Sequence, residues 1–96
     1  MSGSVSIRVE FYSQMQKTFG EKMARVSLNR PARVIDALEM VCTTHERKEK
    51  VFQRQGKLRQ GVTVMRNGRN IAFLDGLMTE LNDGDELAIF PIVCGG

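Results

Sequence analysis

The sequence of 96 residues predicts an α+β fold in which one main helix packs on one face of a mixed β-sheet. Three observations predict this class. Two strand patterns lie close together before Pro31, a helical pattern follows Pro31, and short strand patterns recur from Val62 to Phe90. A helix that leaves a hairpin and crosses the sheet to reach further strands produces this arrangement.

The first two strands are predicted to form a hairpin. Apolar residues occur at every second position, as in strands that bury one face. They are Val5, Ile7, Val9 and Phe11 in the first strand, then Ala24, Val26 and Leu28 in the second. Residues 13–21 are polar, contain Gly20 and are predicted to be the connecting loop. Pro31 favours extended backbone at Arg30, so the second strand is expected to end there.

The main helix is predicted from about Ala32 to Thr44. Its apolar residues follow the spacing i, i+4, i+7, i+8 and therefore share one side of the helix. They are Val34, Leu38, Val41 and Cys42. Because Cys42 lies on this side, its thiol is expected to be buried and inert. His45 lies just past it, and the lone histidine of the sequence is expected to be a surface residue.

The second half is predicted to begin with a long loop and to end in short strands. Residues 45–60 are strongly polar, and a partly helical loop is expected there, anchored by Val51, Phe52 and Leu58. Strand patterns then begin at Val62 and Val64, at Ile71 and Phe73, and at Glu86 to Phe90, where Pro91 ends the last strand. Turns are predicted at Asn67-Gly68, Asp75-Gly76 and Asp83-Gly84, and a turn-rich stretch is pinned by Leu74, Leu77 and Leu81.

Composition indicates an ordinary globular chain. Hydrophobic residues make up 42% and charged residues 26%, and the net charge is +3. No apolar run approaches the roughly 18 residues of a membrane span, and no signal core follows the N-terminus, so a cytoplasmic protein is expected. Cys42 and Cys94 are far apart, which argues against a disulfide framework. The basic residues are dispersed and Trp is absent, which favours a solvated basic face over nucleic-acid binding.

No catalytic or metal-binding motif stands out from the residues. Asp83, Asp85 and Glu86 cluster in the segment DGDE, but a turn explains them more simply than a metal site does, and the later ligands of a calcium loop are missing. Cys94 is expected to be exposed near the chain end. It is either a reactive thiol or a position that merely needs a small residue, and the second interpretation is favoured because no cation is evident nearby.

The C-terminal stretch from Asn67 to Gly96 resembles the small ubiquitin-like sulfur carriers, most closely the archaeal-type small subunit of molybdopterin synthase. The resemblance is carried by Leu81, Asp83, Gly84, Asp85, Glu86, Phe90, Pro91, Val93, Gly95 and Gly96. It implies a β-grasp fold, with residues 1–96 as a single domain and residues 91–96 as a flexible tail. Two positions depart from the pattern: Ile92 stands where a second proline is common, and Cys94 is an unusual choice at a variable position.

The resemblance also implies a function. A ubiquitin-activating-type adenylyltransferase would use ATP to adenylate the carboxylate of Gly96, and a persulfide donor would supply sulfur to give a thiocarboxylate. The protein would deliver that sulfur for molybdopterin biosynthesis as the small subunit of molybdopterin synthase, with the large synthase subunit as its partner. The residues expected to contact partners are Phe90, Pro91, Ile92, Val93, Cys94 and Gly95. The protein would hold no permanent cofactor or metal and would not be an enzyme by itself.

The diglycine fits this chemistry, although other functions stay open. Six extended residues from Pro91 reach roughly 20 Å, and glycines without Cβ atoms can thread a narrow channel. One alternative is a protein modifier joined through Gly96 to lysines. Another is a sulfur carrier for thiamine thiazole synthesis. A third is a passive interaction module that binds RNA through its basic residues, and this alternative leaves the diglycine unexplained.

Overall fold

The computed structural model describes residues 3–91, except for the side chain of Gln55. The strands of this range are β1 (Ser4–Phe11), β2 (Met23–Asn29), β3 (Ala32–Arg33), β4 (Thr63–Arg66), β5 (Arg69–Asn70), β6 (Glu80–Leu81) and β7 (Glu86–Phe90). The α-helices are α1 (Gln14–Phe19), α2 (Val34–Val41) and α3 (His45–Val51). Short 3-10 turns occupy residues 54–56, 71–73 and 76–78.

The five-stranded sheet is mixed, as the sequence predicts. Its strand order is β2-β1-β7-β4-β5. The central strands β1 and β7 run parallel, and each of the other neighbouring pairs is antiparallel. A second, two-stranded sheet pairs β3 with β6. Because β7 lies between β1 and β4, the last strand of the described range is paired on both edges.

The core lies between one face of the five-stranded sheet and the helices. The alternation predicted for β1 is confirmed, since its four apolar side chains are at most 1% exposed. Helix α2 contributes its predicted apolar side to the same cluster, through Val34, Ala37, Leu38 and Val41. Leu87 and Ile89 of β7 are fully buried among these side chains. The fold is thus an α+β fold with the main helix on one face of the sheet.

Helix α1 corrects the prediction that residues 13–21 are only a loop. Met15 and Phe19, four positions apart, are both buried and hold this helix against the core. Gly20 ends it with a φ of 73°, a left-handed conformation that glycine adopts without steric cost. The available sequence signal was the i, i+4 apolar pair followed by glycine. A helix of about one and a half turns has too few apolar positions for a helical repeat to be recognised within a polar segment.

Helix α2 is shorter than the predicted range of residues 32–44. Ala32 and Arg33 instead pair with β6, so their backbone groups bond to another strand. The carboxylate of Asp36 accepts the N–H of Arg33 at 2.8 Å and caps the start of the helix. A new helix, α3, begins directly afterwards, because the hydroxyl of Thr44 accepts the N–H of Arg47 at 3.1 Å. The partly helical loop predicted for residues 45–60 is confirmed.

Arg47 joins the three helices. Its guanidinium donates to the carbonyls of Phe19 and Val41 at 3.0 and 3.3 Å, and to the hydroxyl of Thr43 at 3.0 Å. The guanidinium carbon also lies 5.3 Å from the centroid of the Phe19 ring, within cation–π range. Arg47 belongs to a polar segment, but its side chain is half-buried and helps to hold the helices together.

The predicted strand at Ile71 and Phe73 is wrong. The side chain of Asn70 accepts the N–H of Ala72 at 2.9 Å and starts a 3-10 turn instead of a longer ladder. Ile71 is buried, but Phe73 is 86% exposed. The turn at Asn67-Gly68 is confirmed, since both residues have positive φ and join β4 to β5.

The predicted tail, residues 91–96, is described only at Pro91. Residues 92–96, with the predicted site residues Ile92, Val93, Cys94, Gly95 and Gly96, lie outside the described range. Within residues 3–91, none of the helices combines the length and the apolar character needed to cross a bilayer.

Candidate functional site at the end of the last strand

Strand β7 fixes the point where the chain leaves the sheet. Phe11 pairs with Ile89 on one edge of β7, and Thr63 pairs with Phe90 on the other. The N–H of Tyr12 also donates to the carbonyl of Ile89 at 3.1 Å. Pro91 follows directly and has no N–H to extend the ladder. The position of Pro91, the residue that precedes 92–96 in the chain, is therefore set by a central strand of the sheet.

An aromatic pair lies next to this exit point. The rings of Tyr12 and Phe90 stack with their centroids 4.5 Å apart and an angle of 14° between their planes. The Tyr12 hydroxyl donates to a carboxylate oxygen of Glu10 at 2.8 Å. That hydrogen bond, together with the negative charge of Glu10, raises the pKa of Tyr12 above its ordinary value. The pair holds the half-buried Phe90 side chain on the sheet face opposite the core.

This sheet face is charged beside the aromatic pair. Arg8 forms an ion pair with Glu86 across β1 and β7, and its Nε lies 3.7 Å from a carboxylate oxygen of Glu10. Met65 and Ala88, which pair across β4 and β7, are half-buried on the same face. The result is a surface with an apolar centre and a charged border, which is the usual composition of a protein-binding surface.

The carboxylates of the DGDE segment shape a turn, as the sequence predicts. Asp83 accepts the N–H of Ser6 at 2.7 Å, and Asp85 accepts the N–H of Asn82 at 2.8 Å and the side-chain amide of Asn67 at 2.9 Å. Glu86 is the ion-pair partner described above. Among the described residues, no group of three or more His, Cys, Asp or Glu side chains is arranged to hold a metal ion.

Cys42 and His45 lie in different environments, one buried and one on the surface. Cys42 is 1% exposed, as predicted, and its thiol is 3.8 Å from the carbonyl oxygen of Arg47. Burial raises the pKa of this thiol from 9.0 to about 11, so almost none of it is thiolate at neutral pH. His45 is on the surface, as predicted, with its Nε2 3.4 Å from a carboxylate oxygen of Glu49.

We expect Cys42 to resist alkylation until the protein unfolds. Iodoacetamide at neutral pH should label Cys42 slowly in the native protein and rapidly in urea, as followed by mass spectrometry of its peptide. Between pH 9 and pH 11 the unfolded chain loses the thiol proton while the folded chain keeps it, so the free energy of unfolding should fall as pH rises. The Cys42→Ala variant should lack this component. Rapid native labelling of Cys42 would contradict the assignment.

The comparison with known proteins decides the family. A family model described as the ThiS family matches residues 9–96, nearly the whole chain. The chain belongs to the ThiS family. Members of this family are ubiquitin-like sulfur carriers, and the resemblance found in residues 67–96 is thereby confirmed. The family match includes Gly95 and Gly96, which lie outside the described residues.

Relatives of this ThiS-family chain include modifier proteins. Small archaeal modifier protein 3 of Haloferax volcanii is 28% identical over 96% of this chain and 100% of its own length. The crystal structure of SAMP1 from the same organism has a TM-score of 0.82 and 33% identity, and the match covers 95% of this chain and 99% of that one. These ubiquitin-like neighbours confirm the β-grasp fold.

A third relative carries a different name. The structure of a candidate molybdopterin converting factor, subunit 1, from Pyrococcus furiosus has a TM-score of 0.72 and 27% identity to this ThiS-family chain. The match covers 93% of this chain and 99% of that one. Carriers named for cofactor synthesis and carriers named for protein modification thus share this fold.

Of the predicted site residues, the structure places Phe90 and Pro91 at the end of β7. Tyr12, which the sequence did not single out, is the residue that the fold brings against Phe90. The only available signal was its position, since it continues the outward-facing series of β1 after Arg8 and Glu10. The alternation along β1 predicts the face of the sheet on which Tyr12 lies. It does not predict that β7, which carries Phe90, is the neighbouring strand.

Proposed function

We propose that this ThiS-family protein is a sulfur carrier for molybdopterin synthesis, acting in the cytoplasm as the small subunit of molybdopterin synthase. The family match, which runs through Gly96, supports the sulfur-carrier part of the proposal, and the likeness to the molybdopterin converting factor subunit of Pyrococcus furiosus supports the molybdopterin part. The partners are a ubiquitin-activating-type adenylyltransferase, a persulfide donor and the large synthase subunit. In this proposal the partners supply the catalysis, and the carrier holds no cofactor of its own.

The chemistry proceeds from the carboxylate of Gly96. A terminal carboxylate with a pKa near 3.3–3.7 is ionised at neutral pH and resists nucleophiles. Its oxygen attacks the α-phosphate of ATP, pyrophosphate leaves, and an acyl-adenylate forms. The outer sulfur of a persulfide attacks the acyl carbon and AMP leaves. A thiol then reduces the resulting acyl disulfide, which releases the thiocarboxylate and a disulfide.

In this proposal, the chain length after Pro91 limits where a partner can meet the carboxylate of Gly96. Five residues follow Pro91, and at about 3.3 Å each they reach at most roughly 17 Å. The partner must therefore lie against the end of β7, where Phe90 and Tyr12 form an apolar contact surface. Phe90 to Gly95 are proposed as partner-contacting residues, and Gly96 as the reacting one.

The proposal is tested by activation with the purified adenylyltransferase. Exchange of labelled pyrophosphate into ATP should depend on the carrier, and the large synthase subunit should co-purify with it from its native cells. Carrier-independent exchange would contradict the activation step. Co-purification of a thiazole synthase in place of the synthase subunit would redirect the sulfur to thiamine synthesis.

A second candidate function is protein modification, which the likeness to small archaeal modifier protein 3 and SAMP1 favours. The same acyl-adenylate can pass its acyl group to a lysine amine, with AMP as the leaving group. An epitope-tagged chain should then give a ladder of adducts in cells, and deletion of Gly95 and Gly96 should remove the ladder. A ladder that survives the deletion would not arise from this chemistry.

We expect the Tyr12–Phe90 pair to support docking of the adenylyltransferase. Replacing Tyr12 with alanine removes its ring from the proposed contact surface and should raise the KM for the carrier about three- to tenfold, with kcat within about twofold, because losing an apolar interface contact costs about 1 kcal/mol. Tyr12→Phe keeps the ring, loses only the hydrogen bond to Glu10 and should behave like the wild type. Equal KM values for Tyr12→Ala and wild type would exclude this role.

A further inference from the structure

A small groove lies beside Pro91 and is not used by the proposed reaction. Its volume is about 290 Å³. Helix α1 forms one wall through Gln14, Met15 and Thr18, and the remaining lining residues are Lys50, Arg59, Val62 and Pro91. The last described residue of the chain is thus part of the groove itself.

The groove is positively charged. Lys50 is an exposed residue in the last turn of α3, and its ammonium has no hydrogen bond or ion pair with another described residue. The guanidinium of Arg59 is held in place, because its Nη1 donates to the carbonyl of Glu49 at 2.9 Å. None of the residues that line the groove in the described part of the chain is acidic.

The position of the groove next to Pro91 indicates which protein would occupy it. This inference rests on the proposed function, in which an adenylyltransferase acts on Gly96. When such an enzyme binds the carboxylate of Gly96, its active site is no more than roughly 17 Å from Pro91. A groove lined by Pro91 is therefore expected to lie inside the enzyme's contact area. We propose that this groove binds an acidic segment of the adenylyltransferase, with Lys50 and Arg59 facing its carboxylates.

A neighbouring groove does not fit an acidic segment as well. Its volume is about 740 Å³, and Arg59 lines it together with Lys48 and Arg54. However, Glu39 and Glu49 line it too, and their carboxylates would repel an anionic occupant. The smaller groove is therefore the place where an acidic segment meets cations without competing anions.

A peptide fits the smaller groove better than a nucleic acid does. Grooves that follow a nucleic-acid strand combine cations with aromatic side chains on which bases stack. No aromatic residue lines this groove in residues 3–91. Its two cations and the amide of Gln14 suit one or two carboxylates, whereas the hydroxyl of Thr18 already donates to the carbonyl of Gln14 at 3.3 Å. Such contacts between charged surfaces mainly accelerate association and fix orientation.

Charge reversal at Lys50 tests the proposal. In pyrophosphate exchange with the adenylyltransferase at low salt, Lys50→Glu should raise the KM for the carrier about tenfold, with kcat within about twofold. Lys50→Arg should behave like the wild type. The matched control is Arg69→Glu, which makes the same change in net charge on an exposed residue at the opposite end of the sheet. It should leave KM within about twofold. Added salt should shrink the difference between Lys50→Glu and wild type.

The outcomes separate this inference from the proposed function. Equal KM values for Lys50→Glu and Arg69→Glu, with active wild type, overturn the acidic-segment proposal alone. A wild-type carrier that supports no exchange overturns the proposed function and this inference with it. Salt-sensitive binding of a single-stranded RNA probe that Lys50→Glu abolishes, with exchange unchanged, assigns the groove to nucleic acid and also overturns the proposal. Circular dichroism of each variant confirms that the fold is retained.

Discussion

Removal of Gly95 and Gly96 is expected to abolish pyrophosphate exchange and to leave the free energy of unfolding unchanged. The truncated chain would end at Cys94, so its carboxylate would be roughly 7 Å closer to the sheet and would carry a side chain at the reacting residue. In the proposed function, both changes would keep the acyl group from reaching a narrow active site of the adenylyltransferase. The described core lies within residues 3–91, and glycines have no side chain to pack against it.

A single substitution provides the graded control for this deletion. Gly96→Ala keeps the chain length and adds one methyl group beside the reacting carbonyl, so it should lower the exchange rate without removing it. Urea unfolding of all three proteins checks that stability is the same. A truncated protein that is adenylated at the wild-type rate would show that the diglycine is not the site of activation.

Phe11→Ala is expected to destabilise the fold by about 3–5 kcal/mol. Phe11 is 1% exposed, and its ring stacks on that of Phe19 with centroids 4.2 Å apart and planes 9° apart. Truncation would leave a cavity between β1 and α1 and would free the Phe19 ring on which Arg47 lies. For a domain of this size, each kcal/mol lowers Tm by roughly 4–8 °C.

The matched control is Phe73→Ala, which makes the same chemical change at a phenylalanine that is 86% exposed. It should alter the free energy of unfolding by less than about 0.5 kcal/mol. Urea titration gives both values on one scale. Similar losses for the two variants would contradict the placement of Phe11 in the core and Phe73 on the surface.

The long strands could be predicted from the sequence because their periodicity is local. Burial alternates along β1 and β7, so the apolar residues appear at every second position whatever the neighbouring strands are. The helix α2 was predicted for the same reason, through Val34, Leu38 and Val41. Its true start was not predicted, because pairing of Ala32 and Arg33 with β6 depends on residues far away in sequence.

The segments that were predicted wrongly either are short or have a backbone conformation that a side-chain hydrogen bond determines. Helix α1 contains only Met15 and Phe19 as buried residues, and the strand expected at Phe73 is replaced by a turn that the Asn70 side chain starts. The candidate site shows the same limit. The sequence pointed to Phe90 and Pro91, but not to Tyr12 or Lys50, which the fold brings to the end of β7 from other elements.

The most direct test of the central claim is the intact mass of the protein purified from its native cells without reductant. The account predicts a species in which one oxygen atom is replaced by sulfur, and fragmentation should place this exchange at the carboxyl group of Gly96. A sulfur atom gained on Cys94 or Cys42 as a persulfide would be distinguished by its larger mass increase. An unmodified carboxylate at Gly96, in cells that contain the adenylyltransferase and the persulfide donor, would contradict the account.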